Sequence, residues 1–126
     1  MQLFNLSILT LKYVYVIIFL EVIKLVKHII LWKLKDEYSA CQKEAIKAGI
    51  KEGLEGLKGK IPGLLDIRVQ KESLKSSNVD VMLDSTFESE DALKAYSVHP
   101  EHVNVADTKV RPYTATRSCI DYEVGM

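Results

Sequence analysis

The chain has 126 residues, of which 48% are apolar, and its 17 Lys and Arg balance its 17 Asp and Glu, as expected for one ordinary globular domain. The zero net charge excludes the strong positive field that attracts nucleic acids, so we expect no nucleic-acid partner. Two cysteines, Cys41 and Cys119, are too few for a disulfide scaffold or a cysteine-based zinc site, and we expect reduced thiols in a cytoplasmic protein.

Residues 1–25 form an apolar extension with only three charged side chains, Lys12, Glu21 and Lys24. The uncharged stretch between Lys12 and Glu21 is too short to cross a bilayer core, which needs about 20 residues. The extension also lacks the basic start and the cleavage site of a signal peptide. We therefore expect no membrane association and place the domain at residues 26–126, with a membrane anchor as the alternative role for the extension.

The codons of the extension offer a further hypothesis. Residues 20–25 can be encoded by a sequence that contains GGAGGTGAT, a strong bacterial ribosome-binding site, followed by a short spacer and TTG, an alternative start codon. On this hypothesis the native chain begins at Leu25, and residues 1–24 are translated upstream sequence. The coding DNA tests this directly.

The first half of the domain shows one strand pattern and one helix pattern. A nearly continuous apolar run at residues 27–34 predicts a first strand that is buried on both faces. Residues 40–60 place apolar side chains at spacings of three and four, which predicts a helix that ends near Gly59 and Pro62.

The second half predicts three more strands and a second helix. The second strand alternates, with one apolar face formed by Leu65, Ile67 and Val69. A third strand at residues 79–87 leads to a second helix that Ser89 caps and Pro100 interrupts, and a last strand covers residues 113–124. This β-α-β-β-α-β order places both helices on one face of the sheet and leaves the other face apolar. A second copy of the chain is the simplest cover, so we expect a homodimer.

All three histidines lie in two short motifs. His28 is on the first strand, and a Y-x-x-H-P-x-H motif contains Tyr96, His99 and His102. Imidazole and phenol groups together supply a general base and a hydrogen-bond donor for an enolate or carbonyl oxygen. The alternative interpretation is that these side chains cap helix ends or satisfy buried backbone groups.

Five acidic residues are the other candidates for ligand binding, since carboxylates bind hard cations: Asp36, Glu37, Glu88, Glu90 and Asp91. Their spacing assembles no oxygen-rich ligand set, and acidic residues on a surface are usually only solvated. We expect no metal and no cofactor.

Four segments, residues 26–36, 61–69, 86–102 and 120–124, resemble the stress-responsive A/B barrel family in the family order. The most specific segment is the F-x-S-x-x-x-L-x-x-Y-x-x-H-P-x-H block that ends at His102. The resemblance implies an α+β, ferredoxin-like protomer whose sheet pairs with that of a partner to form a dimeric α+β barrel.

We expect a cavity inside each protomer, between sheet and helices, with His28, Tyr96 and His102 at its polar end. One plant member of the family is a polyketide cyclase that closes a ring by aldol condensation, and its catalytic Tyr and His resemble Tyr96 and His102. His28 resembles a further pocket histidine of that cyclase, and we take His28 and His99 as candidate substrate-binding residues. Two functions therefore stay open: a protein that binds a small apolar or aromatic molecule, or a cyclase-like enzyme.

The substrate of that cyclase does not transfer with the motif. The aromatic pocket residues of its first helix have no counterpart in this chain, where the corresponding stretch is small or aliphatic: Ala45, Ile46, Gly49 and Ile50.

Overall fold

A computed structural model describes residues 8–16 and 24–125 of the chain. The main elements of the domain are β1 (Lys24–Leu34), α1 (Ala40–Glu55), β2 (Leu64–Gln70), β3 (Val81–Phe87), α2 (Glu90–Val98), α3 (Pro100–Val105) and β4 (Thr114–Gly125). A π-helical turn and a 3₁₀ turn join α3 to β4. Residues 8–16 are helical, and within the described ranges no helix is long and apolar enough to span a membrane. Strand β1 begins at Lys24, so the predicted boundary between extension and domain, at residues 25 and 26, falls inside this strand. Most of the extension lies outside the described residues, and its separation from the domain stays a prediction.

The four strands form one antiparallel sheet in the order β2-β3-β1-β4. In this split βαβ arrangement, β3 lies between β1 and β2, so the two strands that flank α1 are parallel to each other but not adjacent. The predicted α+β, ferredoxin-like protomer is confirmed. Strand β4 forms one edge of the sheet, next to β1.

The core lies between the sheet and the two main helices, because alternate residues of each strand point toward α1 and α2. Strand β1 buries five side chains on this face: Val26, His28, Ile30, Trp32 and Leu34. On the opposite face of β1, Ile29 and Leu31 are only half-buried. The sequence predicts that β1 is buried on both faces. Within the protomer, only the face toward the helices is fully buried.

Helix α1 is shorter than its apolar pattern predicts. Ser39 and Gln42 form a capping box at its start, and Gly56 caps its end, so the helix stops at Glu55 rather than near residue 60. The turn that follows contains Gly59 and Gly63, both with a φ of 83°, a conformation that ends a helix and favours glycine.

The buried face of β2 differs from the predicted one at its first residues. A register shift between Leu64 and Asp66 reverses the alternation at that point, so Leu64, Ile67 and Val69 are buried while Leu65 is 44% exposed. The irregularity arises in the pairing of β2 with β3. A prediction based on strict alternation of apolar and polar residues therefore misses it.

Helix α2 begins and ends where the sequence predicts. The Ser89 side chain accepts a hydrogen bond from the Ala92 backbone N–H, with an O···N distance of 3.0 Å. The helix ends at Val98, and Pro100 occupies the first turn of α3 after an extended residue at His99. This break re-aims the chain, which brings residues of both helices over the same part of the sheet.

Candidate functional site

A cleft separates α2 from the β1–β4 edge of the sheet, because the helices do not cover the inner face of β4. It has two adjoining compartments of about 580 Å³ and 170 Å³. Both compartments are lined by His28, Leu93, Ser97 and Arg117. The smaller compartment extends toward the core and contains Tyr96.

His28 lies on the inner face of β1 and is held by its neighbours on both sides. Its Cα partner in β4 is Asp121, so both side chains lie on the same face of the sheet, and Asp121 is hydrogen-bonded to His28 Nδ1. On the other side, the buried Ser85 hydroxyl donates to the His28 backbone oxygen at 2.8 Å. When His28 is neutral and Nδ1–H donates to the carboxylate, Nε2 is the nitrogen that can accept a proton.

Cys119 lies two residues before Asp121 on the same face of β4. Its Sγ is 3.7 Å from His28 Nδ1 and 3.5 Å from Asp121 Oδ1. Partial burial and the negative charge of Asp121 raise the pKa of the Cys119 thiol, so it is protonated at neutral pH. The two strands thus bring an imidazole, a thiol and a carboxylate together at the cleft.

Tyr96 on α2 is the most enclosed polar side chain of the site, with 1% of its surface exposed. Its ring packs against those of Phe87 and His102, with centroids 4.9 Å and 4.2 Å apart, and meets the edge of His28 at 6.4 Å. Within the described part of the chain its hydroxyl has no hydrogen-bond partner. Burial raises the pKa of this phenol well above its ordinary value, so Tyr96 is a permanent hydrogen-bond donor.

His102 reaches the same group from α3. Its Nδ1 is 3.3 Å from the backbone oxygen of Ser97, the geometry of an N–H donated to a carbonyl, which leaves Nε2 as the acceptor. Burial is the largest influence on its pKa and lowers it; the positive charge of Arg111 adds to this, against the opposing hydrogen bond to Ser97. His102 is therefore neutral at neutral pH and stacked on Tyr96.

His99 does not join this group. Its Nδ1 accepts a hydrogen bond from the Glu101 backbone N–H at 3.1 Å, so the ring caps α3, and the residue is half-buried. Of the four residues singled out from the sequence, the structure brings His28, Tyr96 and His102 together and leaves His99 outside the lining of the cleft. For His99, the geometry matches the alternative interpretation of a helix cap.

Three side chains of β4 that the sequence analysis did not single out complete the site. Arg117, Cys119 and Asp121 alternate with Ser118, Ile120 and Tyr122, so one face of β4 is polar and lines the cleft. This alternation is visible in the sequence and was the signal that could have identified these residues. Ionisable residues that alternate with Ile120, Tyr122 and Val124 at the edge of a sheet indicate that the ionisable face has a role of its own.

The lowered pKa of His102 predicts a pH-dependent stability. Between its folded pKa and its ordinary value of about 6.5, the unfolded chain binds more protons, so stability falls as the pH is lowered through this range. We expect the melting temperature to decrease from pH 7 to pH 5, and His102→Gln to reduce this slope. Carboxyl groups with lowered pKa values, such as Glu55 and Asp66, titrate below this window.

The matched control is His99→Asn, which removes an imidazole outside the lining of the cleft and keeps a side chain that can cap α3. Thermal unfolding followed by circular dichroism in a single buffer series measures both variants. An unchanged slope in His102→Gln would contradict the prediction.

Comparison with known proteins agrees with this architecture. A sequence profile described as the Stress Responsive A/B Barrel Domain matches residues 26–124. A dimeric, ferredoxin-like protein of unknown function from Bacteroides fragilis is 33% identical, with a TM-score of 0.75 over 79% of this chain and 96% of its own. A protein from Arabidopsis thaliana is 27% identical, with a TM-score of 0.61 over 80% of this chain and 96% of its own.

Similarity at lower identity extends to a protein with a named activity. Hydroxynitrile lyase from Passiflora edulis is 17% identical, with a TM-score of 0.61 over 80% of this chain and 94% of its own, and shares the fold. No curated protein matches the chain significantly.

Proposed function

The chain belongs to the stress-responsive A/B barrel family, and from this premise we propose that it is a homodimeric barrel protein that binds a small apolar or aromatic molecule in each protomer. The proposed site is the cleft between α2 and the β1–β4 edge. The ligand carries an oxygen that accepts a hydrogen bond, such as a carbonyl. We place this activity in the cytoplasm, where the two cysteines stay reduced.

The observation that carries this proposal is the hydroxyl of Tyr96. A buried hydroxyl without a partner costs about 1–3 kcal/mol, and native proteins rarely retain one without a reason. Contacts of the phenol ring with Phe87 and His102 also hold its hydroxyl oxygen in place before any ligand arrives. A carbonyl oxygen in the inner compartment would satisfy the hydroxyl.

The walls of the inner compartment determine the class of ligand. Apart from the histidines, Tyr96 and two arginines, the lining is mainly apolar: Ile30, Trp32, Leu54, Leu83, Leu93, Ala106 and Val110. Its volume of about 170 Å³ is close to that of an engineered protein cavity of about 150 Å³ that binds benzene. A single six-membered ring therefore fits, and a longer substituent extends into the outer compartment.

The proposed dimer covers the other face of the sheet. There β1 and β4 present apolar side chains to solvent in the isolated protomer: Ile29, Leu31, Ile120, Tyr122 and Val124. The structural relative from Bacteroides fragilis is a dimer, which supports the same assembly for this chain. Because the cleft opens on the helix side, both cleft and dimer face are available at once.

The second candidate is an enzyme that removes a proton next to a carbonyl, as in aldol-type ring closure. The specific support is the pairing of His28 with Asp121, since a carboxylate hydrogen-bonded to Nδ1 orients the imidazole. In this reaction Nε2 of His28 or His102 takes the proton from carbon, and Tyr96 donates a hydrogen bond to the enolate oxygen.

Tyr96→Phe tests the role of the hydroxyl. Without a ligand, we expect the free energy of unfolding to rise by about 1 kcal/mol, because the variant no longer buries an unsatisfied group. Binding of acetophenone, a single ring with one carbonyl, should weaken about threefold to tenfold through the lost hydrogen bond. Urea unfolding and isothermal titration calorimetry measure the two effects.

Tyr38→Phe is the control, because it removes a phenol hydroxyl that lies outside the lining of both compartments. A marked loss of stability in Tyr96→Phe would contradict the proposal, since it would show that the hydroxyl supports the fold. Turnover of a poly-β-keto substrate that disappears in Tyr96→Phe would favour the enzyme over the binding protein.

A further inference from the structure

We propose that His28, Cys119 and Asp121 form a binding site for a divalent transition metal of the Zn²⁺ type. This inference goes beyond the proposed function, which uses the cleft for an organic molecule and needs no metal. It rests on the convergence of three different ligand atoms at one edge of the sheet.

The β1–β4 ladder produces this convergence. Cys119 and Asp121 are two residues apart on β4, so their side chains lie on the same face, and His28 is the direct Cα partner of Asp121. Nitrogen, sulfur and oxygen ligand atoms from the three residues all lie within 4.8 Å of one another. Two paired strands are a rigid support, which favours a defined coordination geometry.

The distances agree with tetrahedral coordination. Zn–S bonds of about 2.3 Å and Zn–N or Zn–O bonds of about 2.0–2.2 Å place neighbouring ligand atoms about 3.3–3.6 Å apart. Cys119 Sγ is 3.7 Å from His28 Nδ1 and 3.5 Å from Asp121 Oδ1. The remaining pair, His28 and Asp121, is hydrogen-bonded and must separate to admit the ion, and Asp121 is free to do so because its side chain is exposed.

The ligand types select the metal. Imidazole and thiolate ligands suit Zn²⁺ and similar ions, whereas Mg²⁺ and Ca²⁺ require oxygen ligands. Three protein ligands beside an open cavity are typical of sites that keep a fourth position for water or substrate. The outer compartment of about 580 Å³, which these three residues line, provides that position.

The charges around the site are compatible with a dication. Binding replaces the thiol proton of Cys119, so the thiolate and the Asp121 carboxylate together bring two negative charges. Arg117 also lines the cleft and contributes one positive charge. The other cation, Lys94, is paired with Glu90 at 3.6 Å. Once the thiolate has formed, the ligand set and Arg117 together carry a net negative charge, which suits a dication.

Co²⁺ titration of the untagged, reduced full chain tests the site, because a thiolate ligand produces a charge-transfer absorption that carboxylate and imidazole ligands do not. We expect this band to saturate at one Co²⁺ per chain and Zn²⁺ to displace the Co²⁺. Cys119→Ser should abolish the band and weaken Zn²⁺ binding at least about 100-fold, since even the loss of an outer partner costs about 10–100-fold. Asp121→Asn should weaken binding but retain the band.

Cys41→Ser is the matched control, because Cys41 is the second exposed cysteine and lies on α1, outside the proposed site. It should leave both the band and the Zn²⁺ affinity unchanged. Absence of the band in the native chain, its loss in Cys41→Ser, or an unchanged Zn²⁺ affinity in Cys119→Ser would each overturn the proposal. Acetophenone binding is measured separately in chelator-treated protein, so failure of the metal site and failure of the organic site are distinguishable.

Discussion

Replacement of Gly63 by alanine is expected to lower the free energy of unfolding by about 2–6 kcal/mol. Gly63 has a φ of 83°, where a non-glycine residue costs about 1–3 kcal/mol. A Cβ added there would also lie 2.5 Å from the Cβ of Ala92 on α2, a contact that forces the helix away from the turn and adds the cost of overpacking, about 1–3 kcal/mol. Because α2 carries Tyr96, the displacement should also weaken binding in the cleft.

Gly59→Ala is the matched control for this effect. Gly59 has the same φ of 83°, but an added Cβ there meets no atom within 4 Å. We expect Gly59→Ala to lose only the conformational contribution, about 1–3 kcal/mol, and to retain acetophenone binding. Urea unfolding of both variants measures the difference, and equal losses would contradict the role assigned to the contact with Ala92.

The second large effect is expected from Ile120→Asp on the outer face of the sheet. Ile120 is 59% exposed in the protomer and lies opposite Ile29, so an aspartate there costs the isolated protomer little. In the proposed dimer the carboxylate would be buried between two sheets without a partner, which costs several kcal/mol. We expect the dimer dissociation constant to rise at least about 1,000-fold, equivalent to about 4 kcal/mol.

Val98→Asp separates this effect from the general consequence of adding a charge. Val98 is also an exposed apolar residue, but it lies at the end of α2 on the helix side of the sheet. Light scattering across a dilution series should report a monomer for Ile120→Asp and a dimer for Val98→Asp. A dimer in both variants would show that the two sheets do not meet through this face.

The sequence was sufficient for the order of strands and helices because the signals there are local. Ser89 and Pro100 define the limits of α2 through caps and steric exclusion, which depend on neighbouring residues alone. The early end of α1 at Glu55 and the reversed alternation at Leu65 were not predictable in the same way. The early end of α1 depends on a turn that continues the buried apolar pattern beyond the helix. The reversed alternation depends on how β2 pairs with β3, which the residues of β2 alone do not reveal.

The residues of the candidate site also fall into those that a local motif predicts and those that only the fold brings together. Tyr96 and His102 could be placed together because one short motif holds both, and His28 followed from the family resemblance. The pairing of His28 with Asp121 could not be found locally, since 93 residues separate the two and only the β1–β4 register joins them. His99 belongs to the same sequence motif, but the backbone turn before Pro100 directs its ring to the start of α3.

Strand β4 contributes side chains to the cleft and to the outer face of the sheet. One backbone irregularity determines which side chains point to each of these two surfaces. The pairing with β1 shifts where Lys33 and Leu34 oppose Thr116 and Thr114, so one residue of β4, Ala115, is left without a counterpart. Loss or gain of one residue at this point would exchange the two faces along the rest of the strand. Ile120 would then turn into the cleft, and the thiol and carboxylate would turn toward the neighbouring sheet. Changes in the length of this segment therefore alter assembly and ligand chemistry together, whereas point substitutions alter each separately.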